Sequence, residues 1–372
     1  MPSLFRSLLA LAVSVLAVLL VLEIVLRFLP VNSGLRTEPV DAEHPILHFT
    51  PDRDVTWSRF PDFSMRNQAH VNNYGFVSGQ DYDPADPRPL VAVIGDSYVE
   101  AAMVPWGETL QGRLAEALKP GIRVYSFGAS GAPLSQYLAY ADWAARTFAP
   151  QRMAFVVVGN DFDESLLKYK QDPGFHYFVP SQDGSGDGPG LELVRQDYEP
   201  GLFARLMRHS SLARYLVFHL HAPEVARGLF AGGKGTDGGE YVGQTSTRAD
   251  PQRLADSKAA VDAFLARLPE AAQLAPGQML FLVDGLRPDL YEPERLESAN
   301  NSYAGQMRAY FMEKARGQGY LVQDLQPRFM ADYAAQGAPF EYPRDAHWNG
   351  LGHRVAYQAL MDSGLLDGLL PK

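Results

Sequence analysis

Short, unbroken apolar runs that alternate with helix-period segments constrain this chain more than any other feature. Leu90-Val91-Ala92-Val93-Ile94 ends at Gly95, Met153–Val158 ends at Gly159, and Met279–Val283 repeats the pattern. A strand that is apolar on both sides must be covered on both faces, which is the signature of a parallel sheet between helical layers. Shorter strands are expected near Arg123–Ser126 and Leu321–Leu325. Between them, Leu110, Leu114 and Leu118 fall on one helical face, stopped by Pro120 and Gly121. Further helices are expected over Pro133–Thr147, Asp250–Leu268, Arg295–Arg316 and Trp348–Leu360. Open parallel sheets carry their sites at the carboxyl ends of the strands. Three polar clusters fall there: Gly95-Asp96-Ser97, Gly128 to Gly131 and Gly159-Asn160-Asp161.

The rest of the chain frames this α/β core. Residues 7–29 are almost wholly apolar and as a helix would span about 34 Å, enough to cross a bilayer. The run is long for a signal peptide and lacks a small-residue cleavage site, so a retained anchor over residues 1–30 is expected. Glu23 and Arg27 lie one turn apart and can pair near an interface. Lys and Arg counts do not orient the segment, since Arg6 opposes Arg27 and Arg36. A short amino-terminal tail favours placing the bulk outside the cytoplasm, as a single-pass protein of a bacterial inner membrane. Residues 31–88 read as an irregular lead-in packed on the main domain at 89–372, and about 162–249 as an insertion over one edge of the site.

Composition excludes several functions. Of 372 residues, 46% are hydrophobic and 20% charged, so a core can form. The net charge of -10 is diffuse and argues against a nucleic-acid partner, which needs clustered cations, while leaving room for a local basic groove. With no cysteine there is no disulfide, thiolate metal site or cysteine nucleophile.

Ser97 sits where a buried strand turns into a helix, so its hydroxyl can face the crevice beside backbone N–H groups. Asp345-Ala346-His347 precedes the last helix. Serine ester chemistry needs a base within reach of the hydroxyl, a carboxylate to hold the imidazole, and donors for the oxyanion. Together these blocks resemble the SGNH (GDSL-type) hydrolase superfamily. The resemblance implies a flavodoxin-like sandwich with a five-stranded parallel sheet. It implies Ser97 as nucleophile, His347 as base and Asp345 as its carboxylate, with Ser97, Gly131 and Asn160 forming the oxyanion hole. The family usually spaces the pair Asp-x-x-His, whereas here it is Asp-x-His. In an extended segment residues two apart point the same way, so the carboxylate still reaches the ring. Asp-x-His-Trp resembles SGNH-like proteins that handle acetyl groups on bacterial exopolysaccharides. An anchor followed by Val71-Asn72-Asn73-Tyr74-Gly75-Phe76 is similar to a group of anchored bacterial members, which often carry Arg where this chain has Val77. His353 is the rival base, more readily a packing histidine.

Arg287, after the fourth strand, either holds a polar substrate or forms an ion pair. Residues 228–234 almost spell a P-loop, but Gly235 replaces the Mg²⁺-binding Ser or Thr. Residues 183–188 imitate the start of a calcium loop, with Val194 where a Glu is needed. No cofactor and no metal are therefore expected. The implied activity is hydrolysis of an acyl, above all acetyl, ester on an envelope glycan, in the setting of envelope polysaccharide machinery. An O-acyltransferase sharing the acyl-enzyme, a lysophospholipase or thioesterase, and a non-catalytic glycan-binding scaffold are the alternatives.

Overall fold

The computed structural model describes residues 2–181, 190–223, 241–242, 245–246, 250–287 and 289–369. Five parallel strands, β1 (Leu90–Gly95), β2 (Arg123–Gly128), β3 (Arg152–Val157), β4 (Met279–Val283) and β5 (Leu321–Asp324), lie in the order β5-β4-β3-β1-β2. That is the flavodoxin-like doubly wound order, with the chain reversing direction between β1 and β3. Period-two alternation explains why the strands are continuously apolar. Leu90, Ala92 and Ile94 join one core cluster while Val91 and Val93 join the other. Met153, Phe155 and Val157 divide from Ala154 and Val156 in the same way.

The helices in chain order are α1 (Pro2–Leu26), α2 (Ser97–Glu100), α3 (Leu110–Leu118), α4 (Leu134–Phe148), α5 (Leu202–Met207), α6 (Ser211–Phe218), α7 (Pro251–Ala272), α8 (Pro293–Asn301), α9 (Tyr303–Gly317), α10 (Leu325–Gln336) and α11 (Gly350–Met361). Helices α4, α7 and α9 cover the aromatic face, where Phe155, Phe264, Phe281 and Phe311 pack together. Helices α3, α10 and α11 cover the other, closing over Val93, Leu282, Leu114, Phe329 and Leu360.

Three expectations need correction. The stretch expected as one helix from Arg295 is two, because Ser302 adopts an extended conformation and caps α9 through Gly305 N–H. The last helix starts at Gly350, not Trp348. Asn349 caps it, and Asp345–Trp348 is a short strand antiparallel to Glu341–Tyr342. The lead-in is not irregular throughout: Arg53–Arg59 and Met65–Val71 form an antiparallel hairpin.

The insertion after β3 includes a second hairpin, His176–Pro180 with Leu191–Arg195, then α5 and α6, then a short pairing of Tyr241–Val242 with Thr245–Ser246. Ser135 Oγ on α4 donates to His176 O at 2.7 Å and seats the first of these. The calcium-loop and P-loop imitations at 183–188 and 228–234 lie outside the described residues. Helix α1 is long and apolar enough to cross a membrane, and no part of its most apolar stretch is buried. Glu23 and Arg27 pair at 2.9 Å.

Candidate active site

The turn that presents Ser97 depends on two glycines. A Cβ on Gly95 would meet Val99 Cγ2 at 2.4 Å, and one on Gly128 would meet Glu100 N at 2.7 Å. Only with both bare can α2 fold back across the ends of β1 and β2. Asp96 caps that turn, accepting from Tyr98 N–H at 2.9 Å. Helix α2 is one turn long and ends at Ala101 in the left-handed region. The donor it offers at Ser97 is therefore the local N–H rather than the end of a long helix.

His347 comes from the other side, on the short strand Asp345–Trp348. Its Nε2 lies 2.8 Å from Ser97 Oγ and its Nδ1 2.5 Å from Asp345 Oδ1. Asp345 also accepts the His347 backbone N–H at 3.0 Å. Asp-x-His spacing works because the strand alternates. Asp345 and His347 share one side, while Trp348 points to the core and donates its indole N–H to Asp284 at 3.0 Å. Such bonding assigns the Nδ1–H tautomer, leaving Nε2 to accept from the serine hydroxyl. His353 is fully buried, and its Nδ1 accepts from Leu110 N–H at 3.1 Å. Burial pushes its pKa down to about 3, so it is a neutral core residue tying α11 to α3.

A residue the sequence reading missed completes this line. Arg59, the last residue of the lead-in strand, donates to Asp345 Oδ2. Burial alone would raise the pKa of Asp345, but the His347 bonds and the Arg59 charge outweigh it and hold the carboxyl below its ordinary value. The signal was available: Val55 and Trp57 alternate with polar residues ahead of a Pro-Asp turn, a hairpin pattern.

Gly131 and Asn160 lie in the loops that follow β2 and β3. Gly131 has a φ of +81°, and a Cβ there would come within 2.9 Å of Lys170 Nζ. Its N–H and that of Ser97 have no partner among the described residues. Asn160 Nδ2 donates to Glu164 at 3.2 Å, and Lys170 Nζ joins Glu164 at 2.6 Å and Gly131 O at 2.8 Å. The first turns of the insertion thus brace both Gly131 and Asn160.

Arg287 takes the ion-pair alternative. Its five N–H groups go to Asp284 at 3.2 and 2.7 Å, Glu341 at 3.2 Å, Ala346 O at 3.1 Å and Tyr98 Oη at 3.0 Å. None is left for a substrate. Tyr98 Oη in turn donates to Ala346 O at 3.0 Å, so this network grips the strand that carries His347. Breaking a buried pair by removing one partner costs about 3–5 kcal/mol. Arg287→Met is accordingly expected to lower the melting temperature and kcat together while leaving KM for a small ester nearly unchanged. A variant with native melting and native kcat would remove Arg287 from this role.

Acids with raised pKa values lie on the turns around Ser97 and Asn160. Burial raises Asp96, Asp161 and Glu164, and pushes Glu100 from 4.5 up to about 7 although Ser130 N–H donates to it at 2.6 Å. The folded carboxyl of Glu100 binds its proton more tightly than the unfolded one, so its contribution to stability falls as pH rises from about 4.5 to 7. Glu100→Gln keeps an oxygen for Ser130 and removes the charge. It is expected to raise the melting temperature at pH 8 more than at pH 5, read by calorimetry at both. An equal shift at the two pH values would show that Glu100 titrates normally.

A cleft of about 770 Å³ opens beside His347 and Asn160, running past Asp289 and Arg295 to Ser298, Asn301 and Ser302 on α8 and its end. Among the described residues no three His, Asp or Glu side chains converge as metal ligands. A serine, a histidine with one free nitrogen, a buried carboxylate and adjacent backbone donors can together attack and release an acyl group.

No family model and no curated protein matches this chain. Among solved structures it is similar to TesA, at 12% identity over 76% of this chain and 99% of that one, with a TM-score of 0.38. It is also similar to an acetylxylan esterase from Geobacillus stearothermophilus, at 12% identity over 76% and 97% with a TM-score of 0.38. A putative GDSL-like lipase from Parabacteroides merdae gives 13% identity over 74% and 96% with a TM-score of 0.40. Likeness at this level carries nothing about the reaction.

Proposed function

We propose that this chain is a serine ester hydrolase of the SGNH type that removes short acyl groups, above all acetyl, from an envelope glycan. The observation that carries the reading is the continuous relay from Ser97 Oγ to His347 at 2.8 Å and on to Asp345 at 2.5 Å, with Asn160 lining the same cleft as His347. In the first half-reaction Ser97 Oγ bonds to the ester carbonyl carbon as His347 Nε2 takes the hydroxyl proton. The oxyanion accepts from the Ser97 and Gly131 N–H groups and the Asn160 amide. Collapse breaks the ester C–O bond, and His347 returns the proton to the departing sugar oxygen. In the second half, water attacks the acyl-serine, His347 takes its proton, and the carboxylic acid leaves with Ser97 restored.

Ser298 and Asn301 in the lining of the cleft offer hydrogen bonds suited to a sugar, while Val157, Phe162 and Leu286 beside them leave apolar wall for a short acyl group. The length and exposure of helix α1 support a retained anchor, and on this reading the catalytic domain belongs on the extracytoplasmic side, where envelope glycans are met. Mass spectrometry of the purified full chain with acetylated glycans, following free acetate against transferred acetyl, tests the reaction. Acetate release supports hydrolysis, and transfer to a sugar hydroxyl makes the chain an acyltransferase. Failure on every ester by a folded protein overturns both. For topology, alkaline phosphatase fused after Lys372 is expected to be active and green fluorescent protein dark. The reverse pattern would put Ser97 in the cytoplasm and remove the glycan from consideration.

A further inference from the structure

The surface around the end of α1 differs from the rest of this acidic chain. Glu23, near the last turn of α1, accepts from the N-terminal turn of α6: from Ser210 Oγ at 2.9 Å, Ser211 N–H at 3.1 Å and Leu212 N–H at 2.9 Å. The insertion is thereby fastened directly to the apolar helix. Just before α6, the short helix α5 holds Leu202, Phe203 and Leu206 out to solvent, at 74%, 66% and 62% exposure. Phe28, two residues past α1, is also bare.

Cations gather at the same place. Arg36, Arg53, Arg208 and Arg214 lie close enough to repel one another, and burial with that repulsion lowers the pKa of Arg36, Arg53 and Arg214. The Nε atoms of Arg36 and Arg214 are buried with no hydrogen-bond partner among the described residues. Among the described residues the Arg208 guanidinium reaches only Thr37 O, at 3.4 Å, that of Arg53 only Gly34 O, at 3.5 Å, and that of Arg214 the neutral Arg208 O and Ser211 Oγ, at 3.4 and 2.9 Å. Two acids answer these four guanidiniums among the described residues: Glu38 offsets part of the charge on Arg53, and Glu23, already held by Arg27 and α6, part of that on Arg214. A cluster of guanidiniums short of counter-charge is a site for an anionic oxygen ligand.

We propose that α5 and the Arg36–Arg53–Arg208–Arg214 cluster form a lipid-facing seat: Leu202, Phe203 and Leu206 enter the bilayer interface while the arginines bind headgroup phosphates. This rests on α1 lying in the bilayer. Continuity with α1 fixes the occupant, because a helix fastened one turn from the membrane exit has lipid as its nearest neighbour. An apolar face flanked by arginines is the form of an interfacial helix, which buries roughly 5–10 Å into the headgroup boundary. The cleft of the active site is then held at one orientation to the membrane rather than swinging on a tether.

The absence of cysteine permits single-site labelling of the full chain. A polarity-sensitive fluorophore on Phe203→Cys, Leu16→Cys or Glu116→Cys is read in nanodiscs carrying nitroxide-labelled phospholipid. Quenching is expected at Phe203→Cys and Leu16→Cys and not at Glu116→Cys, which sits on the exposed side of α3. Quenching at Leu16→Cys alone would overturn the seat and leave the anchor standing, whereas silence at both would overturn the two together. Replacing phosphatidylcholine by phosphatidylglycerol is expected to deepen the Phe203→Cys signal. Arg208→Gln and Arg214→Gln in that background are each expected to weaken the anionic-lipid effect ~fivefold. An unchanged lipid response in the double variant, or full reversal by inorganic phosphate, would overturn the headgroup assignment.

Discussion

Ser97→Ala is expected to lower kcat on p-nitrophenyl acetate by ~10⁴-fold or more, and His347→Ala by nearly as much, because members of a catalytic unit are not additive. The geometry gives each a task the other cannot do alone. In the proposed reaction Ser97 Oγ supplies the new bond to carbon, and His347 Nε2, 2.8 Å away, takes its proton. The double variant should therefore be hardly worse than either single one. His353→Ala supplies the contrast. It removes the acceptor of Leu110 N–H from between α3 and α11, so it should lower the melting temperature by the equivalent of about 1–3 kcal/mol. Its kcat at a temperature where it stays folded should be close to native. Burst kinetics and calorimetry on the same preparations separate the two kinds of loss. Near-native turnover in Ser97→Ala would end the nucleophile assignment, and a collapse of kcat in folded His353→Ala would transfer the role of base.

Asp345→Asn should cost ~10³-fold or more in kcat with little change in fold, the order lost when a relay carboxylate becomes an amide that misorients the histidine tautomer. Its environment makes the residue sensitive. One oxygen holds His347 Nδ1, the other accepts from Arg59, and the side chain is 1% exposed. Arg59→Met acts through Asp345 and should be milder. Losing the positive charge raises the carboxyl pKa, so the acid limb of kcat/KM should move to higher pH while the alkaline limb stays. A parallel drop at every pH would instead show that Arg59 matters to folding alone. In Asp345→Asn, a loss within tenfold would mean that the strand by itself holds the ring.

The parts of this arrangement that were legible in the sequence are those governed by local pattern. Apolar continuity located β1, β3 and β4 because they are buried on both faces, alternation with helices pointed to a parallel sheet, and the flavodoxin-like five-stranded order came from the family resemblance. Gly95, Ser97, Gly131 and Asn160 stood at or just past strand ends, where an open sheet exposes them, and Asp345 and His347 stood just ahead of the last helix. Hidden were contacts that only the tertiary fold makes. Arg59 lies 286 positions from Asp345 along the chain, and no periodicity links them. Arg287 offered two readings because exposure cannot be inferred from a lone arginine. Its burial is decided by Asp284 and Glu341 meeting it from separate loops. Ser302 ended a helix in mid-pattern because its hydroxyl competes for the backbone, a local signal outweighed by the apolar spacing around it.

The link between α1 and the catalytic domain has almost no slack. Pro30 O accepts from Ser58, Asn32 Nδ2 donates to Ser58 O at 2.9 Å, and Ser33 N–H donates to Thr56 O at 2.9 Å, so the chain is zipped to the lead-in hairpin within a few residues of the helix. That strand ends at Arg59, on Asp345. With α1 in a bilayer the domain stands on a stiff post, not a leash. A flexible tether samples a hemisphere and dilutes its cargo through it, whereas a post confines the active site to a thin shell at one height. Esters presented within that shell meet a high local concentration of enzyme, and identical esters farther out meet none. Lengthening the junction after Pro30 with glycine and serine would widen the reach and lower the rate on membrane-proximal substrate, trading the one for the other.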